Sequence, residues 1–238
     1  MNLLFYISGE FKIFSPAHFL PILFLVLLGV VCTLAAAHLS DRGKTFLGTA
    51  YASIALLGVV LRIEHMVGRG LFDYTTELPM HLCRLLAIAA PIVMYTRNRT
   101  ALGIMYFMIY AGTLNANITP DVDGAFPSSN YFTYWMIHSA LLVIPFYAIK
   151  VYGLKITFRD LKNAFWTANG YLILITTFNW ITGSNYFYTI RKPVSASILD
   201  FFGPWPMYVG VTYIIGLILI VLLYLPWYKR KPTGNRLV

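Results

Sequence analysis

The chain has 238 residues, of which 58% are hydrophobic and 11% are charged. Soluble domains carry about 25% charged residues, so this composition excludes a chain that mainly faces water and indicates a lipid environment. A net charge of +9 would suggest a nucleic-acid partner in a soluble protein. Here the basic residues lie between apolar runs, as topology signals do, so we expect anionic lipid headgroups as partners and no nucleic acid.

Seven apolar runs follow one another along the chain, and each is close to the ~20 residues that cross a membrane as a helix. We predict an all-α bundle of seven transmembrane helices that occupies residues 1–238 as a single membrane domain. The first run is long and is followed by Arg42 and Lys44, so we interpret it as a retained helix and not as a signal peptide. The predicted helices lie near residues 17–38, 46–67, 78–96, 100–118, 131–152, 165–183 and 206–228.

The basic residues outside these spans are divided unequally between the two sides of the bundle. One side carries 12 of them, in the loops after the first, third and fifth spans and in the tail, and the other side carries 4. The positive-inside rule therefore predicts an amino terminus outside and a carboxyl terminus in the cytoplasm, in a multi-pass protein of the cell membrane. The heavier side holds Arg42, Lys44, Arg97, Arg99, Lys150, Lys155, Arg159, Lys162, Lys229, Arg230, Lys231 and Arg236, and the lighter side holds Lys12, Arg69, Arg191 and Lys192.

The segment 185–206, before the last span, is too long and too apolar for a simple connector. It contains Pro193, Pro204 and Pro206 together with Trp205. Aromatic side chains suit the depth of the lipid headgroups. The segment is therefore predicted to lie in the interface or to fold back as a lid over the outer end of the bundle.

Polar side chains from five of the spans fall in the same half of the membrane, the outer half. Ionisable residues inside a membrane are costly, and they indicate a functional site by default. We therefore predict one polar cavity that opens to the outside. The alternative is a structural hydrogen-bond network that ties the helices together. The residues concerned are Arg62, Glu64, His65, Glu77, His81, Cys83, Arg84, Thr113, Asn115, Asn117, Tyr131, Tyr134, His138, Asn179 and Trp180.

Helical spacing relates several of these residues to one another. On a regular helix over 78–96, His81 and Arg84 would share a face, and Cys83 would point roughly the opposite way. Either the helix is irregular near Pro79, or Cys83 and His81 have different roles. In the fifth span, Tyr134 and His138 belong to one stripe, so the imidazole is expected below an aromatic mouth.

Three chemistries are open for this set. Cys83 could be a nucleophile with His138 as its base, since a thiol needs a base or a positive neighbour to become a thiolate. The alternative, which the residues alone favour, is that Cys83 is a small packing residue. The histidines and Cys83 could bind zinc, although no metal-ligand spacing supports that site. The cavity could also bind or transport a lipid or a small solute, with His138 and Glu64 carrying protons. Cys32, in the middle of the first span, is interpreted as a packing residue, and we predict no disulfide.

Five short strings carry a resemblance to a known family. They run from Glu77 to Cys83 (ELPMHLC), from Tyr134 to Ser139 (YWMIHS), from Gly183 to Tyr186, from Arg191 to Pro193 and from Asp200 to Pro206 (DFFGPWP). With them, the chain resembles the YwaF-like bacterial integral membrane proteins, which are similar to the animal transmembrane protein 164 family. The resemblance extends from the second span to the seventh.

The resemblance implies acyl-transfer chemistry on membrane phospholipid or lysophospholipid. Animal members are described as phospholipid acyltransferases in which a cysteine takes the acyl chain and a histidine on a later span assists, and more distant relatives are lipid hydrolases. Carried over to this sequence, Cys83 is the nucleophile and His138 the base, with no cofactor and no metal. The expected supporting residues are His81, Arg84, Glu64, His65, Tyr134 and, as candidates to stabilise an oxyanion, Asn115, Asn179 and Asn185.

Overall fold

The structure is a computed structural model, and it describes residues 11–122, 124–193 and 197–228. The described residues are helical and contain no strand, which confirms the all-α fold class. Two short 3-10 turns, Tyr186–Tyr188 and Ile198–Phe202, lie before the last helix. The helices are α1 (Pro16–Ala36), α2 (Asp41–Gly68), α3 (Leu82–Thr96), α4 (Arg99–Ile118), α5 (Ser129–Val151), α6 (Phe158–Thr182) and α7 (Met207–Tyr228).

Every predicted apolar run contains a helix, but three helices begin elsewhere than hydropathy indicates. α2 begins at Asp41 and not near residue 46, because Ser40 caps it by accepting from the Gly43 N–H. α3 begins at Leu82 and not near residue 78. This late start is the irregularity near Pro79 that the sequence left open, and His81 precedes the helix that contains Cys83. α6 begins at Phe158 and not near residue 165, because Thr157 and Asp160 form a capping box ahead of the apolar run. Capping by polar side chains, and not apolar content, determines where this helix starts.

Five helices are long and apolar enough to cross a membrane, namely α1, α2, α4, α5 and α7. α3 is apolar but has 15 residues, and asparagine and threonine side chains lower the hydropathy of α6. The structure therefore supports a multi-pass membrane protein, while the count of seven spans stays a prediction. The predicted cytoplasmic residues Lys229, Arg230, Lys231 and Arg236 lie outside the described residues, as does 194–196 within the predicted lid.

α5 is the centre of the bundle and packs against α1, α2 and α3. α4 packs against α6, and α7 lies against α6 and the middle of α4. That middle, Met108–Thr113, is a π-helical segment between two α-helical parts. Gly112 in this segment allows α3 to approach closely, because a Cβ atom at that position would lie 2.7 Å from the Leu82 side chain. Irregular helical turns of this kind are frequent near functional sites.

Three of the basic loops meet at the same end of the bundle. The Arg97 guanidinium, after α3, donates to the carbonyl of Asp41 at the start of α2. Arg99, at the start of α4, pairs with the buried carboxylate of Asp160 and donates to the carbonyl of Lys155 at 2.8 Å. The connections after α1, α3 and α5 are therefore on one side, and the polar residues of the predicted cavity lie towards the other.

Candidate functional site

The start of α3 holds the cysteine that the sequence singles out. His81 is the N-cap residue, with an extended backbone, and Cys83 lies in the first turn. The thiol is close to the backbone N–H groups of Cys83 itself and of Arg84. These N–H groups have no partner within the helix, and the positive end of the helix dipole is located here. Cys83 is half-buried, and both it and Cys32 are free thiols.

A buried carboxylate fixes the loop that leads into this turn. Glu77 accepts two hydrogen bonds from Arg62 of α2, at 3.0 and 2.8 Å, and one from Arg84 at 3.4 Å. The Arg84 guanidinium also donates to the backbone carbonyls of Thr76, Glu77 and Leu78. These carbonyls accept from a side chain and not from helical backbone N–H groups, so α3 does not extend to the residues before Leu82. One Glu between two Arg residues ties α2, the loop and α3 together.

The loop after α6 packs onto the other side of the same turn. The hydroxyl of the fully buried Tyr186 donates to the Tyr74 carbonyl at 2.6 Å and accepts from the Leu78 N–H at 3.0 Å. Phe187 and Tyr188 both have positive φ angles, 58° and 53°, which are uncommon for residues with side chains. The Phe187 N–H donates to His81 Nδ1 at 3.3 Å. The left-handed turn therefore brings a backbone donor to the imidazole.

His138 is buried on α5, and one of its ring nitrogens is committed to the helix backbone. Its Nδ1 atom lies 2.8 Å from the carbonyl oxygen of Tyr134, and the two rings are 4.1 Å apart between centroids. A carbonyl only accepts hydrogen bonds, so Nδ1 carries the proton and Nε2 has the lone pair. Asn117 of α4 supports the same turn, since its amide donates to the His138 carbonyl and accepts from Ser139.

Cys83 and His138 belong to one cluster, but no hydrogen bond joins them in the described part of the chain. Tyr134 connects them: its ring packs on His138, and its hydroxyl is close enough to Cys83 to interact electrostatically. His81 and His138 are likewise within electrostatic range of each other. His81, Cys83, Tyr134 and Tyr188 are all half-buried, so the cluster is not sealed from its surroundings.

The three asparagines predicted to stabilise an oxyanion make other hydrogen bonds. The Asn179 amide donates to the Tyr186 carbonyl and to Thr189, and its oxygen accepts from the Tyr186 N–H. Asn185 bonds in the same way to the backbone of Ile190 and Arg191. Asn115 is exposed and accepts from Thr119. Asn179 and Asn185 therefore shape the loop that holds His81.

The outer end of α2 contributes less to the cluster than the sequence suggests. Glu64 is exposed and His65 is half-buried, while Arg62 points into the ion-pair network. Two shallow surface pockets also lie elsewhere, one along α7 and one beside Asn179 and Arg191. No group of three His, Cys, Asp or Glu side chains in the described ranges could hold a metal ion, so the zinc alternative has no ligand set there.

Sequence reasoning missed four residues that organise this end of the bundle. Tyr186 and Tyr188 anchor the loop after α6, and the Tyr188 hydroxyl donates to Asp121 at 2.9 Å. Tyr171 of α6 donates to the Met80 carbonyl at 2.9 Å. His18 of α1 is buried between the Phe14 N–H and the Asn117 carbonyl. A tyrosine-rich loop after a polar helix was the visible signal, but its partners are about 70 to 110 positions away in the sequence.

The charge network makes a pH-dependent contribution to stability. Burial opposes ionisation of Glu77, but the hydrogen bonds and charge of Arg62 and the charge of Arg84 outweigh it and lower the pKa of this carboxyl. A carboxyl whose pKa is lower in the folded protein adds stability above its ordinary value of 4.5, and that stability is lost as the pH falls through the folded value. We expect Glu77→Gln to lower the free energy of unfolding by about 3 kcal/mol at pH 7, because it breaks a buried pair.

Thermal unfolding in a neutral detergent between pH 3 and pH 8 tests this prediction. The difference between wild type and Glu77→Gln should shrink below pH 4.5. The exposed Glu64 provides the matched control, since Glu64→Gln should unfold like the wild type throughout. Equal unfolding temperatures for the two variants at pH 7 would contradict the prediction.

Comparison with known proteins gives one match. No curated protein and no solved structure matches the chain. The family model of the TMEM164 family matches residues 13–224, a range that includes all seven helices except the last turn of α7. The finer YwaF-like and bacterial assignment stays a prediction. Since the match covers nearly the whole chain, the protein belongs to the TMEM164 family.

Proposed function

We propose that this protein is an enzyme of membrane lipid metabolism that transfers or hydrolyses the acyl chains of membrane phospholipid or lysophospholipid. Cys83 is the nucleophile and His138 is its base, in a polar site that faces the outer leaflet. The observation that carries the proposal is the tautomer of His138: Tyr134 holds the Nδ1 proton, which leaves Nε2 as a base in the cluster that contains a free thiol at a helix start.

The first half of the reaction forms a thioester. His138 Nε2 takes the Cys83 proton, and the sulfur attacks the ester carbonyl carbon of the lipid, whose oxygen becomes an oxyanion. The oxyanion collapses, the bond between the carbonyl carbon and the glycerol oxygen breaks, and His138 returns its proton to that oxygen. A lysophospholipid leaves, and the acyl chain remains on Cys83.

The second half returns the enzyme to its starting state. The hydroxyl of an acceptor lysophospholipid, or water, gives its proton to His138 and attacks the thioester carbonyl. The carbon–sulfur bond then breaks, and the proton passes back to Cys83. A lipid acceptor makes the protein an acyltransferase, and water makes it an acyl hydrolase. No cofactor takes part in either half.

The absence of a direct hydrogen bond between Cys83 and His138 is compatible with this role. In structures without substrate, catalytic hydrogen bonds are often long and tighten only when the substrate binds. Tyr134 packs on His138, its hydroxyl interacts electrostatically with Cys83, and both Tyr134 and Cys83 are half-buried. A polar site at this depth in a membrane is also costly unless it serves a function.

The supporting residues fit a phospholipid substrate. Arg62 and Arg84 share the single negative charge of Glu77, which leaves one net positive charge beside Cys83. A guanidinium group matches phosphate geometry, so Arg84 is proposed to attract the lipid headgroup. Glu64 and His65 form the rim of the site at the end of α2.

We further propose that all seven helices cross the cell membrane, with the amino terminus outside. The convergence of the loops after α1, α3 and α5 at one end supports this arrangement, because those loops carry most of the basic residues. α3 has only 15 residues, but the loop before it, which Arg84 holds through the Glu77 carbonyl, continues the chain towards the outer side. Helix and loop together are proposed to cross the membrane.

Labelling of single cysteines on intact cells tests this orientation. The background carries Cys32→Ala and Cys83→Ala. Arg42, at the start of α2, and Thr76, in the loop after α2, are both exposed and lie at opposite ends of the bundle. We expect a membrane-impermeant maleimide to label Thr76→Cys and not Arg42→Cys. Disruption of the membrane should make both positions reactive. Labelling of Arg42→Cys alone on intact cells would reverse the proposed orientation.

Acyl transfer from a labelled phospholipid by the purified protein tests the catalytic pair. We expect Cys83→Ala to abolish transfer and His138→Ala to slow it by about 10²- to 10⁴-fold, the usual worth of a general base. Cys32→Ala is the matched control and should keep wild-type activity, because this other half-buried thiol lies on α1 away from the cluster. Activity that survives Cys83→Ala would refute the mechanism and favour a binder or transporter of lipid.

A further inference from the structure

The two histidines of the cluster leave opposite chemical groups free. Tyr134 accepts the Nδ1 proton of His138, so His138 Nε2 has a lone pair. The Phe187 N–H donates to Nδ1 of His81, so that nitrogen is unprotonated, and the neutral ring carries its proton on Nε2. Backbone groups therefore make one imidazole a base and the other a hydrogen-bond donor.

Neither Nε2 atom has a hydrogen-bond partner among the residues that the structure describes. His81 is the N-cap residue of α3 and precedes Cys83 by two positions. His81 packs 5.7 Å from the Tyr188 ring between centroids, and the Tyr188 hydroxyl is within electrostatic range of the thiol. His138 interacts with His81 and packs on Tyr134, which also interacts with Cys83. A donor and an acceptor thus remain available in the cluster that contains Cys83.

The proposed reaction needs a donor of this kind. Attack of a thiolate on an ester creates a negative oxygen, and preorganised donors that face this oxygen are commonly the largest contribution to catalysis. Asn179 and Asn185 are committed to the loop backbone, and Asn115 is exposed. None of the three asparagines predicted as oxyanion donors is therefore available in the cluster, whereas the Nε2–H of His81 is.

We infer that His81 is a catalytic residue that donates its Nε2–H to the oxyanion formed when Cys83 attacks the lipid ester. This inference rests on the proposed function. As the sulfur–carbon bond forms, the electron pair of the carbonyl moves onto oxygen, and His81 stabilises that charge without giving up its proton. When the bond to the leaving glycerol oxygen breaks, the carbonyl reforms and the hydrogen bond weakens. The first-turn N–H groups of Cys83 and Arg84 are the accompanying backbone donors.

Two substitutions separate this role from a structural one. In His81→Asn, the amide oxygen occupies the position of Nδ1, so it still accepts from Phe187 and still suits a helix N-cap, but the donor at Nε2 is gone. In His81→Gln, the longer side chain carries an N–H donor near the position of Nε2 and loses the contact with Phe187. If His81 is only structural, His81→Asn should be the more active variant. If His81 donates to the oxyanion, His81→Gln should be the more active variant.

The measurement is the rate of thioester formation on Cys83, followed by intact mass, after the purified protein is mixed with vesicles of diacyl phosphatidylcholine. We expect His81→Asn to slow this step by about 10²- to 10³-fold at saturating lipid, the worth of one oxyanion donor, and His81→Gln to stay within about tenfold of wild type. In the Cys32→Ala background, alkylation of Cys83 by iodoacetamide should proceed equally in all variants, because displacement of iodide creates no oxyanion.

Three results would overturn the inference, and they differ from failure of the proposed function. Equal thioester formation in wild type and His81→Asn would remove the donor role, as would Asn acting faster than Gln. Slower alkylation in His81→Asn would assign His81 to the ionisation of the thiol. If the wild type forms no thioester, the proposed function itself fails before any His81 variant is compared, and the inference fails with it.

Discussion

The ion pair between Glu77 and the two guanidinium groups of Arg62 and Arg84 organises the outer end of this molecule. A carboxylate in a membrane protein is costly unless its charge is balanced and its oxygens accept hydrogen bonds, and here both oxygens do. Arg84 uses its remaining N–H groups to hold three consecutive carbonyls ahead of α3. The helix therefore starts at Leu82, and its free N–H groups lie beside the thiol of Cys83.

The second constraint is that the imidazoles around this thiol are oriented by backbone atoms. His138 is held by a carbonyl of its own helix, whereas His81 is held by an N–H from the loop after α6. That loop is fixed at Tyr186, because Asn179 of α6 bonds to the Tyr186 backbone and the Tyr186 hydroxyl donates to the Tyr74 carbonyl ahead of α3. Residues on α2, α5 and α6 thus act together on a single turn of α3. On the proposed mechanism, they prepare one nitrogen to take a proton and the other to bind an oxyanion.

Hydropathy predicts the positions of all seven helices, because an apolar run in lipid must satisfy its own backbone hydrogen bonds and a helix does so. It does not predict where α3 and α6 begin, because Arg84 and the Thr157–Asp160 capping box act through hydrogen bonds that an apolar pattern does not register. The sequence also identifies Cys83, His81 and His138 as neighbours of interest. It could not assign their tautomers, because the atoms that fix His81 come from Phe187, 106 positions away.

The hydrogen-bond partners of the asparagines could not be predicted from the sequence either. Asn179 and Asn185 are conspicuous polar residues at the end of an apolar span, and a free amide there would suit an oxyanion. Their amides donate to backbone carbonyls and to the Thr189 hydroxyl within ten residues, in a loop whose turn is not visible in the composition. Only three-dimensional contacts show that Asn179 and Asn185 bond within this loop and are not free amides.

The central claim is that the thiol at the start of α3 carries an acyl chain. The most direct measurement is the intact mass of the protein purified from membranes, before and after treatment with neutral hydroxylamine, which cleaves thioesters. We expect a fatty-acyl increment that hydroxylamine removes, that Cys83→Ala lacks and that Cys32→Ala retains. A wild-type protein without this increment, even after incubation with mixed phospholipids, would contradict the account and leave Cys83 as a packing residue.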